Sequence, residues 1–332
     1  MTTIPILIMR PSGDHSAPND QTLGAKLSAG DDIAVEEQFF DREQPADLEK
    51  KFASWRGRIK AVIGATRAAE SQRLGEVAEE MGVLSFFPNN NPSIWQKRRH
   101  VFHIGFPSSQ TAAALAAELV QKTNRKRYLL LHDNTQFQNN VASNMEASLK
   151  GYGIDVRSLD YKPGKPLDLS GKWKPELIYI VFSSERKAGE IIPMINDQAP
   201  DIPIVIGRSL LRESFLKILE GRTGEFWFVD TIFRRTRVHT ETQQQFMRVM
   251  EENAVKVPTT NHAFGWDCMK FCALALKAGD GDVKRAIDYL ESGVILEGAS
   301  GTCTFSADNH NGRHGLGPTI LSRWNHGRFE DL

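Results

Sequence analysis

The stretch KAVIGATRAAESQRLGEVAEEMGVLSFFP, residues 60–88, contains two short apolar runs, AVIG and LSFFP, separated by a helix-like segment. Short apolar runs bounded by polar, Gly or Pro residues are typical of buried strands. In EVAEEMG, residues 76–82, apolar residues recur at helical spacing, and Gly82 is a helix stop signal. Strand, helix and strand in this order predict a βαβ unit with parallel strands.

The same alternation extends in both directions from this stretch. Five predicted strands precede residue 105 and five lie between residues 127 and 231, which indicates two similar α/β lobes. The predicted strands are 4–9, 34–40, 61–64, 84–88, 100–104, 127–132, 155–161, 177–182, 202–207 and 226–231.

The C-terminal third has a different pattern. Helical segments at 242–253, 262–279 and 282–293 precede GTCTFS and TILSRWNHGRFE, which we expect to form an antiparallel pair. Residues 162–175 are the most linker-like segment and are expected on the surface.

Composition narrows the classes of function. The chain has 332 residues and is 40% hydrophobic, enough for two domains with sizeable cores. Lys plus Arg and Asp plus Glu both number 41, so we expect no nucleic-acid partner. No apolar run approaches the roughly 20 residues that cross a bilayer, so we expect no membrane insertion.

Motifs of cofactor and catalytic sites are missing. The chain has no G-x-G-x-x-G after its first strand, no phosphate-binding loop and no G-x-S-x-G. SADNHNGRHG, residues 306–315, lacks the ligand spacing of a calcium loop, and its glycines oppose a helical pair of His310 and His314. We therefore expect no metal and no cofactor. Cys268 and Cys272 are expected to be buried as small hydrophobic residues.

Small polar residues recur directly after predicted strands, where ligands bind in open α/β sheets. Helix N-caps need the same residue types, so both interpretations remain open. Phe137 follows a strand in the same way and is suited to cover an apolar ligand, although an aromatic residue at a helix start is commonly buried. The polar positions are Thr66, Arg67, Asn89, Asn90, Asn91, Ser183, Ser184, Arg208 and Ser209.

Taken in order, several segments resemble the type I periplasmic solute-binding proteins of ABC transporters, the group that includes the leucine/isoleucine/valine-binding proteins. The resemblance spans about residues 4–330. Its most specific segments are AFGWDCMKFCALALKAG and LEGASGTCTFSADNHNGRHG. Three further matching segments come earlier in the chain: KAVIGATRAAESQRLGEVAEEMGVLSFFP, HVFHIGFPSSQTAAALAAELV and RYLLLHDNTQFQNN.

The resemblance implies two three-layer Rossmann-like lobes joined by a three-segment hinge. The first lobe would comprise residues 1–107 and 236–304, and the second 108–235 and 305–332, with a ligand cleft between them that closes on binding. The loop at 306–315 would then be the turn by which the chain leaves the first lobe, with its polar residues facing water or capping the turn.

The same resemblance implies ligand contacts at Ala68, where amino-acid receptors often have a Ser, and at Phe106. Arg208 or Ser209 stands near the place of an acid that pairs with an α-ammonium group, which puts a branched-chain amino acid in doubt. Asp230 is either a ligand residue or a loop cap. Arg67 and Arg208 favour an anionic ligand, so we expect a small carboxylate, aromatic or branched, rather than an α-amino acid.

These features predict a receptor, not an enzyme, that delivers a small amino acid or carboxylate to the permease subunits of an ABC transporter. No signal peptide precedes residue 4, so the receptor is expected to be periplasmic if a signal was removed, and cytoplasmic if Met1 is the native start. The alternative function is a cytoplasmic ligand sensor on the same fold. An enzyme using His132, Asp133 or the pair His310 and His314 is a third hypothesis.

Overall fold

The computed structural model describes residues 3–13, 16–89, 91–133, 135–162, 164–165, 167–182, 184–230, 240–314, 319–325 and 327–331. The chain divides into two compact units. Unit 1 comprises Met1–Pro107, His239–Ala254 and Thr260–Gly315, and unit 2 comprises Ser108–Val238, Val255–Thr259 and Leu316–Leu332.

Unit 1 contains a parallel five-stranded sheet with the order β2-β1-β3-β4-β5. Its N-terminal elements are β1 (Ile4–Pro11), α1 (Ser16–Ser28), β2 (Ile33–Phe40), α2 (Pro45–Ala53), β3 (Ala61–Gly64), α3 (Ala68–Met81), β4 (Leu84–Phe87) and β5 (Val101–His103). Ile6 and Ile8 belong to one buried core and the alternate residues Leu7 and Met9 to another. The sheet is therefore buried on both faces, as parallel sheets are.

Unit 2 contains a seven-stranded sheet with the order β14-β13-β10-β9-β8-β6-β7, parallel except at β13 and β14. Its first elements are α4 (Ser108–Thr123), β6 (Arg127–His132), α5 (Gln136–Gly151), β7 (Asp155–Asp160), β8 (Leu177–Val181), α6 (Glu185–Gln198), β9 (Ile204–Ile206), α7 (Glu213–Leu219) and β10 (Phe226–Asp230). Alternate residues again supply two cores, since Leu129 and Leu131 lie in one and Tyr128 and Leu130 in the other.

The C-terminal elements complete both units. Unit 1 receives α8 (Glu241–Glu252), α9 (Thr260–Ala278), α10 (Val283–Glu291), β11 (Leu296–Gly298) and β12 (Gly301–Cys303). Unit 2 receives β13 (Ile320–Asn325) and β14 (Arg328–Asp331). Within the described residues, no helix combines the length and apolarity that a bilayer span needs.

Each of the ten strands predicted between residues 4 and 231 overlaps a strand of the structure, but the predicted C-terminal pairing is wrong. β12 pairs with β11, whereas β13 pairs with β10 and β14. The reason is a tight turn between β11 and β12, in which the backbone N–H groups of Ala299 and Ser300 donate to the Asp267 carboxylate. This turn pairs strands that are adjacent in the chain.

Three segments differ from the sequence-based expectation, two in the unit to which they belong and one in its burial. Residues 305–314 belong to unit 1, because Phe305 is buried in its core. Residues 255–259 belong to unit 2, where Val257 packs on the core. The segment expected to be a surface linker, 162–175, buries Leu167 and Leu169 in unit 2. Cys268 and Cys272 are buried free thiols, as predicted.

Candidate functional site

The carboxyl edge of the unit 1 sheet carries one set of predicted site residues. β3, β4 and β5 are adjacent and parallel, so the residues that follow them share one edge of the sheet. Thr66 and Arg67 follow β3, Asn89 and Asn91 follow β4, and Phe106 follows β5. Asn90 lies outside the described residues.

The start of helix α3 combines a positive side chain with backbone N–H groups that no side chain caps. Arg67 occupies the N-cap position and its side chain accepts no bond from the first turn, which begins at Ala68. Backbone N–H groups at a helix N-terminus attract anions, especially where no side chain caps them. Within the described part of the chain, the exposed Arg67 guanidinium forms no ion pair, and the nearby Glu70 is bound to Arg42 at 2.6 Å.

The loop that follows β4 and contains Asn89 and Asn91, here called the asparagine loop, presents hydrogen-bond donors. Asn89 is only 3% exposed, and its Oδ1 accepts from the backbone N–H of Asn91 at 2.8 Å. Asn91 in turn accepts from Ser93 N at 3.0 Å, which caps a short 3₁₀ helix. With both oxygens used inside the loop, the amide Nδ2 of Asn89 is buried without a hydrogen-bond partner among the described residues. The unused groups are donors, which suit an acceptor ligand.

Phe106 is buried and is covered by a residue that the sequence placed in a solvent-facing turn. The Arg313 guanidinium lies 4.7 Å from the centre of the Phe106 ring, and its Nε donates to the carbonyl oxygen of Ile104 at 2.8 Å. Arg313 is 2% exposed and His310 is buried as well, so the expectation that this loop's polar residues face water is wrong for these two. Both are buried because they bond backbone groups of β5 and the residues after it.

A buried ion pair holds Arg313 in place. The Asp267 carboxylate on α9 lies 3.4 Å from Nη2 of Arg313, and the Ser300 hydroxyl bridges the two side chains. Burial raises the pKa of Asp267, while Arg313 and the donors at Ser300 and Ala299 oppose that increase. A lone carboxylate in the apolar helix AFGWDCMKFCALALKAG is a sequence signal for a buried partner. The partner itself is 46 positions away and has no such signal.

The carboxyl edge of the unit 2 sheet carries the second set of predicted residues. Ser184 is the N-cap of α6, and its side chain accepts from Lys187 N at 3.4 Å. Thr135 caps α5 in the same way. Phe137 on the first turn of α5 is 44% exposed, and Ser183 lies outside the described residues. Ser184 therefore has the helix-cap role that the sequence left open.

Arg208 follows β9, Asp230 is the last residue of the adjacent strand β10, and the two side chains interact electrostatically. Burial lowers the pKa of Arg208, and Tyr179 and Asp230 act in the opposite direction. Burial also raises the pKa of Tyr179 to about 12, an effect that Arg208 reduces. Asp230 is 1% exposed, so a carboxylate offsets the Arg208 charge at this edge. Ser209 is partly exposed in the 3₁₀ helix Arg208–Leu210.

Three residues of the enzyme hypothesis, Asp133, His310 and His314, are engaged in other contacts, whereas Nδ1 of His132 is buried without a hydrogen-bond partner among the described residues. Asp133 accepts from Thr135 and lies 3.4 Å from Nζ of Lys187. His310 contacts the Val101 carbonyl oxygen and Glu291, whereas the exposed His314 contacts the Thr304 carbonyl oxygen. In the part of the chain that the structure describes, no three His, Cys, Asp or Glu side chains are grouped as metal ligands.

Comparison with known proteins agrees with this architecture. The model of a family described as "Periplasmic binding protein" matches residues 41–173. A leucine binding protein, LivK, from Thermotoga maritima aligns with a TM-score of 0.77 at 19% identity, covering 99% of this chain and 98% of that chain. LivJ from Streptococcus pneumoniae is a branched-chain amino acid transporter substrate binding protein in complex with isoleucine. It aligns with a TM-score of 0.78 at 19% identity, covering 99% of this chain and 98% of that chain.

A solute binding protein of an ABC transporter from R. palustris, in complex with benzoate, aligns with a TM-score of 0.75 at 16% identity and covers 99% of this chain and 95% of that one. A comparison with curated proteins finds no match. The resemblance seen in the sequence is confirmed for residues 41–173, and the two-lobed α/β fold is confirmed along the chain.

Proposed function

We propose, from the premise that this chain has the fold of the type I periplasmic binding proteins, that it is a solute-binding receptor for a small carboxylate. The fold covers 99% of the chain and nearly all of each similar structure, which favours a role carried by the whole molecule. Similar structures hold isoleucine in one case and benzoate in another. The fold thus accommodates amino acids and simple carboxylates, and this chain's own residues have to decide between them.

The observation that carries the ligand class is the surplus of donors at the carboxyl edge of unit 1. The Arg67 guanidinium, the uncapped start of α3 and Nδ2 of Asn89 all lie on this edge. A carboxylate offers up to four acceptor positions and matches such donors, while an α-ammonium group offers donors alone. On unit 2, the Arg208 and Asp230 charges offset one another, so the predicted residues carry a net positive charge that favours an anion.

Phe137 supports an apolar or aromatic body on the ligand. Its side chain is 44% exposed at the carboxyl edge of unit 2, and apolar rings at such positions bind the hydrophobic part of a ligand. Ala68 would contribute its backbone N–H group, because its side chain has no polar atom.

Delivery to ABC transporter permease subunits in the periplasm is part of the same proposal, and no catalytic step is included. The cytoplasmic sensor on the same fold is the competing role. Fractionation of cells that express the full-length gene distinguishes them, because recovery with the extracytoplasmic fraction supports the receptor and recovery with the cytoplasm supports the sensor.

The ligand class is tested by thermal shift with matched compounds. L-Leucine and isocaproate share a carbon skeleton and differ in the α-ammonium group, while benzoate and benzyl alcohol differ in charge. We expect benzoate and isocaproate to stabilise the protein by about 2.7 kcal/mol at 100 times Kd, and the other two compounds to have no effect. Stabilisation by leucine alone would overturn the ligand class. Absence of any effect would count against the receptor role.

A further inference from the structure

The segment 306–313 docks along β5 and extends the carboxyl edge of the unit 1 sheet. The backbone N–H of His103 donates to the His310 carbonyl oxygen at 2.9 Å, and Gly312 N donates to the His103 carbonyl oxygen at 2.8 Å. His103 and Asn311 thereby form an isolated parallel bridge. Gly312 allows this approach, since a Cβ there would lie 2.5 Å from the Phe305 ring.

The side chains of His103 and Asn311 also meet. His103 is fully buried, with Nδ1 2.8 Å from Oδ1 of the Asn311 side chain and Nε2 2.7 Å from the Asn89 carbonyl oxygen. A backbone carbonyl oxygen only accepts, so the contact with Asn89 needs a hydrogen on Nε2, whereas the Asn311 amide can turn either its oxygen or its nitrogen toward Nδ1. His103 therefore connects the docked segment to the asparagine loop.

The Asn89 carbonyl is also confined from another side. A Cβ at Gly105 would lie 1.8 Å from this oxygen, so the backbone after β5 approaches it as closely as a glycine allows. With the carbonyl held by His103 and Gly105, the peptide plane is fixed. That plane determines where the Asn89 side chain starts, and this side chain supplies the unpartnered Nδ2 donor.

We infer that His103 and Asn311 are positioning residues for ligand binding, acting through the Asn89 carbonyl without touching the ligand. The inference rests on the proposed function, because it assumes that Asn89 contacts the carboxylate. Asn311 orients the His103 ring, His103 holds the carbonyl, and Asn89 presents its amide. An altered ring orientation therefore weakens binding even where the fold is retained.

Two substitutions of His103 distinguish a role of its ring in positioning Asn89 from a role in core packing. In His103→Gln the side-chain NH₂ group approximates Nε2 and retains a donor toward Asn89, whereas in His103→Asn it approximates Nδ1 and loses that donor. Asn311→Leu removes the contact to the ring from a partly exposed site, so it remains informative if the variants at the buried position fail to fold. His314→Asn is the control, since His314 is exposed directly after this segment and its ring bonds the Thr304 carbonyl oxygen.

The full chain is titrated with benzoate and isocaproate by calorimetry, and amide hydrogen exchange is measured over residues 84–95. We expect about tenfold weaker binding and faster exchange for His103→Asn and Asn311→Leu, and less than about threefold weaker binding for His103→Gln and His314→Asn. Equal affinity and equal exchange in all variants would overturn the inference.

Failure of the proposed function has a different signature. If neither carboxylate binds the wild-type chain, the proposed ligand class is wrong, while hydrogen exchange still reports on the loop. Faster exchange in His103→Asn and normal exchange in His103→Gln would then support positioning of Asn89. The same exchange rates in both variants would refute it.

Discussion

Helix α3 of unit 1 and helix α6 of unit 2 both follow a parallel strand, yet they begin differently. The first turn of α6 is capped by the Ser184 side chain, whereas α3 begins at Arg67 with no side-chain cap. Arg208 on unit 2 lies near a carboxylate, and Arg67 on unit 1 forms no ion pair within the described residues. The start of α6 is therefore capped by its own side chain where the start of α3 keeps free backbone donors, which is the contrast on which the proposed anion site in unit 1 rests.

The largest effect on stability is expected from the buried ion pair of Asp267 and Arg313 in unit 1. Asp267→Asn leaves Arg313 buried without its carboxylate, so we expect a loss of about 3–5 kcal/mol in the free energy of unfolding. Urea unfolding measures it. Asp288→Asn is the control, because the exposed pair of Asp288 and Arg99 contributes at most about 1 kcal/mol. A similar loss in both variants would contradict the difference in burial.

The contrast between α3 and α6 is tested by adding the missing cap. Arg67→Asp supplies an acceptor to the first turn of α3, so we expect about 1 kcal/mol of added stability without ligand. The carboxylate repels an anion, and we expect benzoate binding to weaken about 100-fold, as measured by calorimetry. In unit 2, Ser184→Ala should lower stability by about 1 kcal/mol with little change in affinity. The reverse pattern would place the anion at α6.

The pH dependence of stability is expected to report on His103. Burial, with a smaller contribution from Arg313, lowers the pKa of His103 from its ordinary value of 6.5. The unfolded chain therefore binds the proton first, so the contribution of His103 is complete above pH 6.5 and is lost as pH falls toward the lower folded-state value.

Urea unfolding between neutral and mildly acidic pH measures this loss, with a slope of at most about 1.4 kcal/mol per pH unit from one group. His103→Gln removes the titrating ring and should flatten the dependence relative to the wild-type chain. A variant at the exposed His314 serves as the comparison. Parallel curves for wild type and His103→Gln would show that another group is responsible.

The smallest effect on stability is expected at Phe137. Because this ring is 44% exposed, Phe137→Ala should change the free energy of unfolding by less than about 1 kcal/mol. Benzoate affinity should fall about fivefold while isocaproate affinity changes less, because an aromatic body gains more from stacking on the ring. Equal losses for both ligands would mean that Phe137 contributes apolar area without aromatic preference.

Much of the fold was predictable because a strand that is buried on both faces has a short run of consecutive apolar residues in the sequence. All ten predicted strands of residues 4–231 are found, and the positions after β3, β4 and β5 do share one edge. The errors concern groups whose partners are distant in the chain. The turn at Ala299 and Ser300 depends on Asp267, 32 and 33 positions away, and no local pattern encodes that contact.

The sequence by itself determined the α/β class, the repeated lobe pattern and the residues that follow each strand, because hydrophobic periodicity and helix signals are local. Only the tertiary structure decided which of those residues keep unused donors. Ser184 and Asn91 both looked like candidates, yet their oxygens cap the starts of helices. The burial of Arg313 and His103 also required the folded chain, since each is stabilised by backbone carbonyl groups that folding brings within hydrogen-bond distance.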